Sequence, residues 1–285
     1  MSEQVDSLGT TSCEITKYGF TQERGLVALC GDWLQLRRHI RVVKPHLIHV
    51  HFGGILALAS FLAASKGCKK VLTISGSDIL SYGTKNVFTD ARNAWRHCLT
   101  KLCCKMADKI IPVSQNLKER VPKNYQRKST VIPLGVNTEH FFPRSKDTVR
   151  EQLGLDREKF YILFNASSGL KNENPIKNPQ LAMASVSFVR KMLPNTELLK
   201  LIGIPKDQMP LYFNAADVVL VTSFYEGSPL IVKEALACET PIVAVECGDV
   251  SARLEGVRNC YIVEREPKII AEALAKVLGK EGRAV

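Results

Sequence analysis

Residues Asp217 to Ala237 read DVVLVTSFYEGSPLIVKEALA, and this stretch decides the fold. DVVLVT is a short, mostly β-branched run of strand length. SFYEGS follows as a loop containing a glycine. PLIVKEALA then carries a helical pattern, with Pro229 at the opening, where a missing N–H costs nothing. A strand this apolar, leading directly into a helix, is the repeating unit of a parallel sheet covered on both faces.

The same alternation extends in both directions. Downstream and just upstream, strands are expected at Tyr161–Ala166, Glu197–Ile202, Pro241–Val245 and Cys260–Val263, with helices at Pro179–Met192, Met209–Ala215 and Pro267–Leu278. In the first half, strands are expected at Leu47–Phe52, Lys70–Ser75, Lys109–Val113 and Thr130–Leu134. Helices fall between them at Leu26–Val43, Ile55–Ser65, Asn86–Met106 and Gln115–Val121. The fold class is α/β, with two doubly wound domains, residues 1–142 and 143–285. They join near Asn137–Lys146, where Pro143 and a polar stretch break the pattern. A chain of 285 residues, 45% of them hydrophobic, is long enough for two cores. Ligands of open parallel sheets bind at the carboxyl ends of strands, so the expected site is a cleft onto which both sets of strand ends open.

Glu226 and Glu234 bracket this strand-to-helix junction. Glu226 lies in the loop, and Glu234 about one and a half turns into the helix. Peptide N–H groups near Gly227 to Leu230 lack intrahelical acceptors and carry partial positive charge, a ready site for phosphate. Gly227 permits close approach of a ligand to the backbone. Beside a phosphate, a carboxylate such as Glu226 suits a different task, accepting hydrogen bonds from sugar hydroxyls. The competing reading makes both acids surface groups that assist the helix dipole. Glu234 fits that reading better than Glu226 does.

On these residues the chain resembles the group 1 (family four) glycosyltransferases, which adopt the GT-B fold. Their E-x7-E motif matches Glu226 and Glu234, within YFNAADVVLVTSFYEGSP and VKEALACETPIVAVECGDV. LIHVHFG, TISGSD, DKIIPVSQNLKE, VIPLGVNTEHFFP and the Lys177-Asn178-Pro179 segment agree, and the resemblance runs from about residue 1 to about 280. It is similar to the subgroup that builds cell-surface polysaccharides such as teichuronic acid. The resemblance implies that Glu234 binds the ribose of a nucleoside-diphosphate sugar and Glu226 the transferred sugar. It assigns the diphosphate to Gly227, Ser228 and Lys177, without a metal or other cofactor, and Lys171 stands near the family's usual arginine. The implied activity is retaining transfer of a hexose-type sugar to a saccharide or lipid-linked acceptor. Many relatives have a histidine where Ser75 stands. His49 and His51 end the preceding strand on one face, and His51 is either a packed strand histidine or a residue lining the acceptor cleft. Relatives also begin with one more strand and end with a crossover helix, and this chain is expected to lack both.

Composition narrows the classes further. No apolar run reaches the roughly 18–20 residues of a membrane helix, and Met1–Gly9 has no signal-peptide pattern, so a cytoplasmic location is expected. Net charge is +11. The basic residues Arg37, Arg38, Arg41, Lys44, Lys101, Lys105 and Lys109 are spread over several helices. This pattern suits a solvated face or peripheral contact with anionic lipid better than nucleic acid. The nine cysteines are irregularly spaced, and His97, Cys98, Cys103 and Cys104 do not converge as zinc ligands would. No G-x-G-x-x-G follows a strand, which disfavours a dinucleotide dehydrogenase. Two rivals to an active transferase stand: a truncated, non-catalytic nucleotide-sugar binder, and a nucleotide-sugar 2-epimerase, which needs acid/base groups for C2 chemistry.

Overall fold

The computed structural model describes residues 14–20, 26–80, 87–166 and 174–279, and the chain divides into two units, Met1–Leu134 and Gly135–Val285. In the first unit, helix α1 (Leu26–Val43) precedes three strands, β1 (Leu47–His51), β2 (Lys69–Ile74) and β3 (Lys109–Pro112). These pair in parallel in sequence order, joined by α2 (Ile55–Ala63) and α3 (Val87–Met106). Val71 to Ile74 of β2 are buried, as a central strand covered on both faces requires. β1 is an edge strand among the described residues and keeps Leu47 exposed. The polar short helices α4 (Gln115–Arg120) and α5 (Lys123–Gln126) follow β3.

The fourth strand expected at Thr130–Leu134 is not a strand, and the reason is local. This segment does run beside β3. Ile110 N–H donates to Lys128 O at 3.0 Å, Thr130 N–H to Ile110 O at 3.0 Å and Ile132 N–H to Pro112 O at 3.1 Å. The step that would complete the ladder needs an N–H at Pro112, which has none. Only the bridge between Ile110 and Ser129 remains.

A glycine sets how closely α3 approaches the sheet end. A Cβ at Gly53 would sit 2.3–2.8 Å from the side-chain atoms of the buried Thr100 on α3. We therefore expect Gly53→Ala to lower unfolding free energy by roughly 1–3 kcal/mol through overpacking. A urea titration checks this, and a loss below about 0.5 kcal/mol, the level of a neutral surface change, would contradict it.

The second unit contains α6 (Lys146–Leu153), β4 (Phe160–Phe164), a 3-10 turn at Pro175–Lys177, α7 (Pro179–Met192), β5 (Thr196–Lys200) and α8 (Met209–Ala215). It continues with β6 (Val218–Val221), α9 (Leu230–Ala237), β7 (Ile242–Val245), α10 (Val250–Leu254), β8 (Tyr261–Val263) and α11 (Pro267–Leu278). The five strands are parallel in the order β5-β4-β6-β7-β8. Side-chain alternation splits each of the inner strands β4, β6 and β7 between two cores. Ile162, Phe164, Leu220 and Val243 pack under α7 and α11, whereas Leu163, Val219, Val221 and Ile242 pack under α8, α9 and α10. This is why these inner strands read as unbroken apolar runs. Phe141 also belongs to the second core, against Phe213 at 5.8 Å between ring centroids.

The strand order places a switch point between β4 and β6. From β4 the chain leaves through α7 on one face to β5. From β6 it leaves through α9 on the other face to β7. Loops at neighbouring strand ends that part in this way leave a crevice, and that is where ligands of such sheets bind.

Candidate functional site

Lys177 and Glu226 meet in that crevice. Lys177 follows β4, in the segment NPIKNP, where Asn-Pro occurs twice. Each asparagine caps a helical start, and each proline supplies its first residue. Asn174 Oδ1 accepts from Ile176 N–H at 3.0 Å, and Asn178 Oδ1 from Leu181 N–H at 3.4 Å. Asn178 has φ 55 and ψ 60, a left-handed conformation that asparagine tolerates. The turn ends by presenting Lys177, whose Nζ donates to Glu226 Oε1 at 2.6 Å. Both side chains are less than one-fifth exposed, at 17% and 18%.

The loop after β6 holds the other partner. Ser223 Oγ donates to the same Glu226 oxygen at 2.8 Å, and Phe224 N–H donates to Ile176 O at 2.9 Å. Gly248 packs behind Glu226. It has φ +65, and a Cβ there would lie 3.1 Å from Glu226 Cβ and 3.2 Å from both Glu226 O and Pro229 Cδ. Glycine is thus required twice over, by backbone conformation and by space. The thiol of Cys247 is buried beside these groups. Desolvation first, then the Glu226 charge, pushes it up to about 12, so it is an inert packing group. A small crevice at this point is lined by Phe164, Asn165, Lys177, Thr222, Ser223 and Ile231, among others.

The start of α9 completes the region. Pro229 is its N-cap residue, and the helix proper begins at Leu230, one residue later than expected. Gly227 and Ser228 are buried, and the Ser228 hydroxyl donates to Asp249 Oδ2 at 2.9 Å. Arg253 Nε donates to the same oxygen at 3.0 Å. Glu234 lies half-buried on α9, just over one turn from its first residue. Lys171 falls outside the described residues.

Three contributors have no signal in local sequence. Thr222, fully buried, donates its hydroxyl to Lys177 O at 2.7 Å and lies 3.2 Å from Asn178 O. Arg265, from the loop between β8 and α11, donates to Thr222 O, Ser223 O, Phe224 O and Glu246 O. Asp249 sits beneath the start of α9. Arg265 lies 39 positions beyond Glu226, so neither periodicity nor motif spacing connects the two.

The first unit carries its own ordered strand ends. His49 and His51 stack at 4.4 Å between ring centroids, so they do share a face as alternation requires. His49 Nε2 is 2.7 Å from Thr73 Oγ1. Partial burial lowers the pKa of His51 and favours the neutral ring. The buried Asp78 carboxylate accepts backbone N–H groups from Gly53 at 3.0 Å, Ser75 at 3.3 Å and Gly76 at 2.8 Å. It thereby ties the loop after β1 to the loop after β2. Cys103 and Cys104 are buried free thiols, pushed up by desolvation to about 11 and 12, whereas Cys98 is exposed. Among the described residues no group of three or more His, Cys, Asp or Glu could hold a metal ion. No helix among them is long and apolar enough to cross a membrane.

Two Rossmann-like α/β units in series, with an acid–lysine pair at a parallel-sheet switch point, define a protein of the GT-B fold class. Residues 11–140 match the model "Glycosyltransferase Family 4" and residues 175–280 the model "Glycosyl transferases group 1". The chain belongs to the group 1 (family four) glycosyltransferases. It is 27% identical over 255 residues to the glycosyltransferase TuaC of Bacillus subtilis (strain 168), named for teichuronic acid biosynthesis. That match covers 83% of this chain and 62% of TuaC, so the chain spans about six-tenths of its relative's length. Sucrose-phosphate synthase from Thermosynechococcus elongatus shares the fold, with a TM-score of 0.69 at 17% identity over 92% of this chain and 71% of that one. A Listeria monocytogenes protein named as a UDP-N-acetylglucosamine 2-epimerase does so too, with a TM-score of 0.61 at 12% identity over 92% and 74%. The fold is therefore common to transferases and a protein named as an epimerase, and it is the family match that places this chain with the transferases.

Proposed function

We propose that this chain transfers a hexose-type sugar, with retention, from a nucleoside-diphosphate sugar to a saccharide or lipid-linked acceptor in cell-surface polysaccharide synthesis. The observation that carries the reading is the Lys177–Glu226 pair at the switch point, 2.6 Å apart and shielded from solvent. In the free protein each charge balances the other. On donor binding the diphosphate takes Lys177, and Glu226 turns to hydroxyls of the transferred sugar while Ser223 keeps its carboxylate in place. Main-chain N–H groups at Gly227, Ser228 and the start of α9 lie beside the phosphates. Glu234 accepts the ribose hydroxyls.

Transfer then rests on stabilising the departing diphosphate and on positioning the acceptor hydroxyl at the anomeric carbon, on the face that the diphosphate leaves. A cation and fixed peptide dipoles meet that need without a metal, and no glycosidase-style pair of carboxylates is required. His51 is assigned to the acceptor side. The exposed Trp95 and Leu102 of α3, alternating with the exposed Lys101 and Lys105, support peripheral contact of the first unit with anionic lipid.

The test is nucleotide binding by calorimetry. A thermal-shift screen of UDP, GDP, ADP, dTDP and their sugars identifies the donor base. Glu234→Ala is then expected to weaken that nucleoside diphosphate by about 10- to 100-fold, the loss of charge-assisted hydrogen bonds to the ribose. Unchanged affinity would overturn the ribose assignment.

A further inference from the structure

Thr222 and Ser223 follow directly on the last residue of β6, and their hydroxyls and carbonyls are divided with a pattern. The Thr222 hydroxyl is fixed on the main chain of Lys177 and Asn178, at 2.7 and 3.2 Å. The Ser223 hydroxyl is fixed on the side chain of Glu226, at 2.8 Å. Adjacent hydroxyls thus hold the two members of the ion pair, one through its backbone and the other through its carboxylate. Their carbonyls lie past the end of the sheet ladder and need donor partners from elsewhere. Arg265 supplies them, with Nη1 at 3.1 Å from Thr222 O and 2.9 Å from Ser223 O. Its Nη2 reaches Phe224 O at 3.3 Å and Glu246 O at 3.4 Å, and its guanidinium covers the Phe224 ring at 5.3 Å from the centroid. Three successive carbonyls of the β6 loop and one from the end of β7 are held by a single planar fork.

We propose that Thr222 and Arg265 are positioning residues of the donor site, fixing the separation and direction of Lys177 and Glu226. Neither touches the donor in this arrangement. Thr222 sets where the lysine-bearing turn leaves β4, and Arg265 sets the course of the loop that carries Glu226. Lysine is a poor substitute at position 265. Its ammonium is a point donor on a flexible stem and does not present the parallel N–H bonds of a guanidinium. Thr222 is completely buried and its methyl group fills space, so valine keeps the shape while removing the donor. Serine does the reverse.

The proposal rests on the donor-site reading, and one set of variants separates the two. Wild type, Lys177→Met, Thr222→Val, Thr222→Ser and Arg265→Lys are titrated with the tightest-binding of UDP, GDP, ADP and dTDP, at a temperature where all are folded. Thr222→Val and Arg265→Lys are each expected to weaken binding by about 10-fold, equivalent to about 1.4 kcal/mol, the first by displacing Lys177 and the second by displacing the main chain of Gly227 and Ser228 that the same loop carries. Thr222→Ser should stay within about 2-fold of wild type, because it retains the hydroxyl. A purely structural role would lower the melting temperature of Thr222→Val and leave nucleotide affinity intact. That result, with Arg265→Lys also unchanged and Lys177→Met impaired, overturns the positioning roles alone. If wild type binds none of the four nucleotides, the donor-site reading fails and the proposal with it. Arg265 is exposed, so Arg265→Lys remains informative should Thr222→Val fail to fold.

Discussion

Lys177→Met should weaken nucleoside-diphosphate affinity by about 100-fold and donor turnover by about 1,000-fold, whereas Glu226→Gln should reduce turnover far more than nucleoside-diphosphate affinity. The asymmetry follows from what each group does once the pair opens. Lys177 lines the crevice, so its loss removes charge stabilisation from both the bound and the departing diphosphate. Glu226 is proposed to act on the sugar, so the free nucleoside diphosphate should hardly register its replacement. Stability should show the opposite pattern of coupling. Each single substitution leaves one mostly buried charge without its counter-ion, and the double variant leaves none. The double should therefore cost less than the sum of the singles, by about 0.5–3 kcal/mol in a urea double-mutant cycle. Equal loss of nucleotide affinity in both single variants would remove the division of roles between Lys177 and Glu226. Retention of more than about one-tenth of wild-type turnover by Lys177→Met would remove the lysine from catalysis.

The parts of the fold that could be read in advance are those where one local rule dominates. Helices α7, α8 and α11 have the expected bounds because each begins at or beside a proline and keeps an apolar stripe toward one core. Helix α6 has no such signal. KDTVREQL offers only Val149 and Leu153 as apolar residues, and its packing depends on Arg150, which is buried in spite of its charge. The Thr130–Leu134 segment shows the converse. Its apolar run has the composition of a strand, and a proline in the neighbouring strand withholds the hydrogen bond that would make it one. Glu226 could be singled out because it lies in a strand–loop–helix junction, and Lys177 because its Lys-Asn-Pro segment resembles that of the family. That they bind each other could not be read, since it depends on the opposed exits of α7 and α9 from adjacent strands. Arg265 and Thr222 act through main-chain carbonyls, which any residue provides, so no side-chain pattern marks their partners.

Asp217→Ala should have the largest effect on stability, lowering the unfolding free energy of the second unit by about 3–5 kcal/mol. Asp217 stands just before β6 and is the common acceptor of three donors. Arg150 Nη2 lies 2.7 Å and the Tyr161 N–H 2.7 Å from Oδ2, and Lys146 Nζ lies 2.6 Å from Oδ1. The Arg150 side chain is only 5% exposed and that of Asp217 15%. Arg150 is otherwise directed at Ala215 O and Arg157 O, each at 3.0 Å, and its guanidinium lies 4.9 Å from the centroid of the Tyr161 ring. Removing the carboxylate leaves a buried guanidinium facing neutral acceptors and a main-chain N–H of β4 without its bond, and neither can recover water. Lys146, far more exposed, can turn to solvent and contributes little to the loss. If the penalty comes from the stranded charge, replacing both partners should relieve it, and Arg150→Met/Asp217→Leu should lie within about 2 kcal/mol of wild type. Urea titration of the three proteins decides the matter. A loss below about 1 kcal/mol in Asp217→Ala would mean that solvent reaches Arg150. A double variant as unstable as the single would place the stabilisation in the hydrogen bond to Tyr161 N–H, and hence in the joint between β4 and β6 on which the Lys177–Glu226 crevice is built.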